Sequence, residues 1–304
     1  EMQADLTITT LRNSVMPGKE FSGGNMPAEL LTALKTAGID VINLGHLTAL
    51  NADVQGLAET KNSITAAGIT PFGMYTSPEE RSNAVIGSAN GVKIGLLSYL
   101  NDLSSAGKKQ LSSEERAYAY APLDVDIIKS DIQALREKGA EVVVVCLCWG
   151  KSSASSATKA QKETAQQIAD AGADIILGNN PQAVFPVEVL TAQRGDGEYH
   201  PVLCAYSMGN LFTYDRENRA NLSGILLRSD VQYDPAKGTI AFNTLTYSPT
   251  YCWRDKVDEK TRTGVVIADP ENPPEFLEQK QRSVMERCYN LIKEVMSETV
   301  LQER

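Results

Sequence analysis

The chain has 304 residues, 42% of them hydrophobic, and carries a net charge of −9 with a pI near 4.9. That length and apolar content are enough to bury a large core, as one domain or one domain plus an appendage. The acidic balance excludes nucleic acid, which demands clustered Lys and Arg. No apolar run approaches the roughly 20 residues that a membrane-spanning helix needs. The N-terminal Glu1-Met-Gln-Ala4 reads as a mature or trimmed end, so any export signal or anchor is expected upstream of it.

In chain order, Glu29 to Gly38 has apolar positions at helical spacing, with Pro27 suited to the first turn and Gly38 to the stop. A short apolar strand, Ile39 to Leu44, follows. The same helix–Gly–strand unit recurs from Asp53 to Gly68 and Ile69, from Ser130 to Gly139 and Ala140–Cys148, and from Thr158 to Gly172 and Ala173–Leu177. Gly at each stop fits the left-handed helix cap. Near-continuous apolar strands alternating with helices imply a parallel or mixed sheet covered on both faces. Ala84–Ser88 and Val92–Tyr99 flank Asn90-Gly91, a hairpin signal.

Asn101 to Tyr120 is polar and Ser-rich and reads as a surface excursion. Further strands are expected at Val184–Thr191, Pro201–Tyr206, Gly224–Tyr233 and Thr239–Tyr247, and Phe276 to Val300 forms a charged, partly amphipathic helix. Arg194-Gly-Asp-Gly197 reads as a turn between strands rather than an adhesion motif. Domain boundaries are set at 1–270 for the main domain and 271–304 for a C-terminal helical appendage. Of the five cysteines, Cys146, Cys148 and Cys204 lie in apolar strand-like runs and are expected to be buried and reduced. None of the five matches a zinc spacing.

Polar loops end the strand-like runs at Asn43–Asn51, Cys146–Gly150, Gly178–Gln182 and Tyr206–Asn210. Ligands in open α/β sheets bind beyond the carboxyl ends of strands, so these loops are where a site is sought. His46 and Cys148 are candidate catalytic residues, because a Cys–His pair needs adjacency in space and not in sequence. Both equally suit bland roles, His46 as a loop histidine and Cys148 as a buried thiol. Trp149 could stack on a ligand ring or plug the core. Asn180, Gln182 and Asn210 could hydrogen-bond a sugar or peptide, or satisfy the loop backbone.

Ala33-Leu-Lys-Thr-Ala-Gly-Ile-Asp-Val-Ile-Asn-Leu44, Asn90-Gly-Val-Lys-Ile-Gly95, Trp149-Gly150, Pro186-Val-Glu188 and Tyr206-Ser-Met-Gly-Asn210, in that order, resemble the bacterial capsule-synthesis family typified by CapA. The resemblance runs from about Ala4 to Tyr247. It implies a calcineurin-like metallophosphatase fold: an α/β/β/α sandwich of mixed sheets with flanking helices. It also implies a link to poly-γ-glutamate capsule and a location at the outer cell surface, extracellular or membrane-anchored.

The same resemblance exposes departures. Where the family has Asn-Asn-His-Ala-Leu-Asp, this chain reads His46-Leu-Thr48-Ala-Leu-Asn51, so the metal-site His and Asp fall on Thr48 and Asn51. The usual His-Trp-Gly is Cys148-Trp149-Gly150, and Gly-His-His-Pro-His is Gly178-Asn179-Asn180-Pro181-Gln182. An Asn-Leu-Glu motif appears as Thr10-Leu11-Arg12, and the family's opening Gly-Asp strand is not in this sequence.

A two-metal site needs anionic or imidazole ligands, whereas Asn, Gln and Thr offer neutral oxygens. The family's divalent metal pair is therefore expected to be lost, with no metal and no other cofactor. The expected ligand cleft comprises Arg12, His46, Thr48, Asn51, Cys148, Trp149, Asn179, Asn180, Gln182 and Asn210. Its expected partners are an anionic polymer, peptide or glycan, with Arg12 suited to an anionic group, and other cell-envelope proteins. The preferred function is a non-catalytic binding or assembly component. The alternative is a hydrolase or transferase acting on phosphoester or γ-glutamyl substrates through Cys148 and His46 or a single metal.

Overall fold

The computed structural model describes residues 4–18, 24–83, 85–152, 154–195, 197–215, 218–257, 260–297, 299 and 301–304. Ala84, Asp196 and Val300, each part of an expected element, lie outside the described residues. The chain divides into two compact units, each discontinuous in sequence. The first is Glu1–Trp149 with Gln167–Ile176 and Ala192–Glu198; the second is Gly150–Gln166, Leu177–Thr191 and Tyr199–Arg304.

The first unit begins with β1 (Ile8–Thr10), α1 (Glu29–Thr36), β2 (Val41–Asn43), α2 (Asp53–Ala66) and β3 (Thr70–Phe72). The strands form an all-parallel sheet in the order β1-β2-β3, with Thr10 opposite Asn43 and Asn43 opposite Phe72. Their carboxyl ends therefore lie on one edge of the sheet. Gly38 ends α1 at φ 98°, a conformation glycine adopts without steric cost, and Ile39 N donates to Leu34 O at 3.0 Å. Leu31, Ile42, Leu50, Leu57 and Ile64 are fully buried around this sheet.

After α3 (Pro78–Ser82) come β4 (Val85–Ala89) and β5 (Val92–Leu100), the expected Asn-Gly hairpin. The stretch read as a surface excursion is largely exposed and contains two short helices that were not foreseen, α4 (Ser105–Gln110) and α5 (Ser113–Tyr118). Ser104 and Ser112 cap them, Ser112 through a reciprocal box with Glu115. Then α6 (Val125–Glu137), which starts earlier than expected because Asp124 caps it, leads into β6 (Val142–Cys148), parallel to β5 and buried at every position. A Cβ on Gly95 would lie 2.8 Å from Leu135 Cδ1, so only glycine lets α6 approach β5 this closely.

The division falls inside α7 (Lys159–Asp170), β7 (Ile175–Asn179) and β8 (Val187–Gln193). The second unit adds β9 (Tyr199–Ala205), paired between β7 and β8, and a sheet of β10 (Ser223–Asp234), β11 (Thr239–Val257) and β12 (Lys260–Ile267) in antiparallel order. β11 is ten residues longer than the expected strand ending at Tyr247, and β12 was not foreseen. Residues 271–304 lie in the second unit. There α8 (Gln279–Met296) turns Met285, Cys288, Ile292 and Met296 inward at helical spacing, packs on β10 and β11, and is followed by β13 (Gln302–Glu303) beside β11. Leu222, Tyr251, Ala268 and Leu277 complete this core with Met285 and Cys288.

The result is a mixed α/β chain with several sheets, the class expected. Among the described residues, no helix is long and apolar enough to cross a membrane.

Candidate functional site

The expected cleft residues divide between the units. Arg12, His46, Thr48, Asn51, Cys148 and Trp149 belong to the first; Asn179, Asn180, Gln182 and Asn210 belong to the second.

In the first unit the loop after β2 is shaped by Asn43, which is fully buried. Its Nδ2 donates to Thr10 Oγ1 at 3.2 Å and its Oδ1 accepts from Gly45 N at 2.9 Å, joining the carboxyl ends of β1 and β2. Gly45 is required by close approach: a Cβ there would lie 1.9 Å from Ser98 Oγ. The next residue, His46, is 5% exposed. Thr48 Oγ1 donates to the Arg12 carbonyl oxygen at 2.8 Å, so its lone pairs are left for His46 Nδ1, 3.0 Å away. The Thr48 amide also donates to Nδ1, at 3.3 Å. Burial first, and then the Arg12 charge, push the imidazole down to about 3, so His46 is neutral at physiological pH.

Cys148, at the end of β6, is 3% exposed. Burial raises its thiol to about 11 against the opposing pulls of the Leu47 backbone and Arg12. Arg12 thus acts electrostatically on both His46 and Cys148. A thiol in that range is protonated at neutral pH and is a poor nucleophile. Asn51 Oδ1 accepts from the Ser104 hydroxyl, and Ser104 N donates to Leu47 O at 2.8 Å, so the α4 cap braces the loop. Trp149 is 2% exposed, which makes it a core residue.

In the second unit Asn180 sits at φ 88° and donates Nδ2 to Gly150 O at 2.7 Å. Gln182 N donates to Ser152 O at 3.3 Å. Asn210 is held at the crossing of its loop with β10: its amide donates to Ser223 O at 2.9 Å and its Nδ2 to Asn221 O at 3.0 Å. A Cβ on Gly209 would lie 2.6 Å from Ser223 O, so the Ser-Met-Gly-Asn segment is a backbone crossing that excludes larger residues.

Sequence reasoning missed Gln161, whose Nε2 is buried with no partner among the described residues. The signal was available as Thr158-Lys-Ala-Gln161, the spacing of a capping box. Among the described residues, no group of three or more His, Cys, Asp or Glu is placed to hold a metal ion. His200 is buried in β9 at 5% exposure.

The family model described as "Bacterial capsule synthesis protein PGA_cap" matches residues 2–215, and the chain belongs to that family. It is 28% identical over 189 residues to the PGA biosynthesis protein CapA of Bacillus subtilis (strain 168), covering 62% of this chain and 46% of that protein. It is 27% identical over 191 residues to the capsule biosynthesis protein CapA of Bacillus anthracis, covering 62% and 43% respectively. The chain thus spans less than half the length of the curated relatives it matches. Among solved structures, the calcineurin-like phosphoesterase YfkN from Bacillus subtilis is similar at 13% identity and TM-score 0.43, over 88% of this chain and 74% of that one. The Thermus thermophilus sulfate thiohydrolase SoxB is similar at 12% identity and TM-score 0.43, over 88% and 38%.

Proposed function

We propose that this protein serves capsule biosynthesis at the outer cell surface as a metal-independent binding or assembly component, not as a phosphoesterase. One observation carries the reading: among the described residues no group of three or more His, Cys, Asp or Glu is placed to hold a metal ion, and the loop imidazole and thiol that could ligate one, His46 and Cys148, are both buried. A cation placed there would meet a fixed positive charge and a protonated thiol. The nearby oxygens belong to hydroxyls and amides, which bind transition metals poorly. The residues present do not suit a divalent pair, and no step is assigned to one.

An anionic group of a polymer, peptide or glycan suits Arg12 instead, since guanidinium matches carboxylate and phosphate geometry. Other envelope proteins are the expected partners in assembly.

Elemental analysis tests this, on protein purified without chelator and then challenged with excess Mn²⁺ or Zn²⁺. The expected content after desalting is below about 0.1 equivalent, with no rise in Tm on metal addition. One or two retained equivalents, or phosphoester hydrolysis that disappears in His46→Ala, would overturn the proposal.

A further inference from the structure

The Asn90-Gly91 step, the only Asn-Gly in the sequence, has no part in the function proposed above. β4 and β5 pair from Val85↔Leu96 to Ala89↔Val92, which leaves Asn90 and Gly91 as a two-residue loop. Their φ angles are 48° and 82°, the left-handed pair that defines a type I′ hairpin turn. Both residues are exposed. A Cβ on Gly91 would meet nothing within 4 Å, so that side of the loop is open. The bonds that close such a turn join the flanking residues, here Ala89 and Val92. Among the described residues, no hydrogen bond outside that ladder holds the Asn90 carboxamide or the Gly91 amide.

The backbone nitrogen of Gly91 can attack Cγ of Asn90, closing a five-membered imide and expelling ammonia. A side chain on the following residue crowds that approach, and glycine has none. Water then opens the ring at either carbonyl. One product is aspartate; the other is isoaspartate, whose main chain runs through Cβ and is one carbon longer. Either way one water is taken up, one ammonia leaves and one carboxylate is gained. The two Asn-Ser steps are worse placed, since Ser14 is 4% exposed and Asn62 lies inside α2.

We propose that Asn90 is a site of spontaneous conversion to isoaspartate, and that the conversion releases β4 from the sheet. β4 is an edge strand, and β5 is its only sheet partner among the described residues. A type I′ loop closes with two residues of standard length, so an extra main-chain carbon breaks the closure and unpairs Ala89 from Val92. Loss of β4 bares the edge of β5, whose residues from Gly95 to Leu100 are buried in the intact fold. An unguarded apolar edge invites pairing with another strand. This modification goes beyond the binding role and stands independently of it.

The test is incubation of the full chain at physiological temperature and mildly alkaline pH, beside the peptide Ser88-Ala-Asn-Gly-Val-Lys93. Ion exchange follows acidic species, and peptide mapping with isoaspartyl methyltransferase labelling locates isoaspartate. The folded chain is expected to gain one negative charge at Asn90 before any other Asn reacts. It should do so more slowly than the peptide, because the imide requires Asn90 to leave its turn conformation. Asn90→Gly keeps the positive φ of the turn and should yield no early acidic species. Freshly prepared Asn90→Asp carries the charge on a main chain of normal length. Hydrogen exchange at Val85–Ala89 should therefore quicken in converted wild type and stay slow in Asn90→Asp. No isoaspartate at position 90 once the peptide has converted overturns the site, as does equal conversion at other asparagines. Converted protein whose β4 amides stay protected overturns the release of β4.

Discussion

His46 shows how far burial moves a residue from its sequence-level reading. As a loop histidine it invites a role in acid–base chemistry, yet the fold encloses it beside Arg12 and holds it neutral. Its folded pKa of about 3 lies below the unfolded value of about 6.5. Between those values the unfolded chain binds the extra proton. His46 therefore contributes stability that is fully present above pH ~6.5 and lost as pH falls toward 3. The slope approaches about 1.4 kcal/mol per pH unit. Urea unfolding of wild type and His46→Gln from pH 7 to 4 should show curves that converge on acidification. Parallel curves would mean that His46 titrates normally.

Gly45 and Ser98 give a second residue-scale expectation. Gly45→Ala would drive a methyl into Ser98 Oγ and lie 3.1 Å from Ser98 Cβ, costing about 1–3 kcal/mol. Ser98 Oγ has no partner among the described residues, so Ser98→Ala alone should be close to neutral. The double variant should recover part of the Gly45→Ala loss, read as coupling in a mutant cycle. Strict additivity would show that the close approach is not what selects glycine.

Between elements, Asp174 does the binding that the sequence could not announce. Its carboxylate, 2% exposed, accepts from Arg136 on α6 at 2.6 Å, from Val143 N on β6 at 2.7 Å and from Arg194 beyond β8 at 3.0 Å. Arg194 also donates to Ala173 O at 2.6 Å, and its side chain is only 15% exposed. The arginine of the Arg-Gly-Asp tripeptide is therefore spent inside the first unit, consistent with reading that segment as a turn. Removing one partner of a buried ion pair leaves charge uncompensated. Arg136 remains to Asp174, so Arg194→Ala should cost about 2 kcal/mol, less than full loss of the pair. An unchanged Tm would show that Arg136 alone satisfies the carboxylate.

The elements missed in the sequence have physical reasons. A Ser-rich stretch reads as loop by composition, while the Ser112–Glu115 box that nucleates α5 is a position-specific signal. β12, Lys-Thr-Arg-Thr-Gly-Val-Val-Ile, is polar in its first half and gains strand form by pairing with β11. There Trp253 lies over Gly264, and a Cβ on that glycine would lie 2.9 Å from the ring.

For the whole molecule, the residue order alone determined the class: mixed α/β, alternating helices and apolar strands with glycine stops, and polar loops at strand ends. It also carried the family, because motif order survives where single residues drift. These are properties of local periodicity and of short segments, which act through neighbours in the chain. Only the tertiary structure decided which loop side chains are held by the fold. Asn51, Asn180 and Asn210 are tied to other segments, at Ser104, Gly150 and Asn221, and Trp149 fills the core, whereas Asn179 and Gln161 have buried polar atoms with no partner among the described residues. Burial and hydrogen-bond partners depend on segments distant in sequence, so the same amide can brace a turn or be buried unpaired, and its position in the chain does not say which.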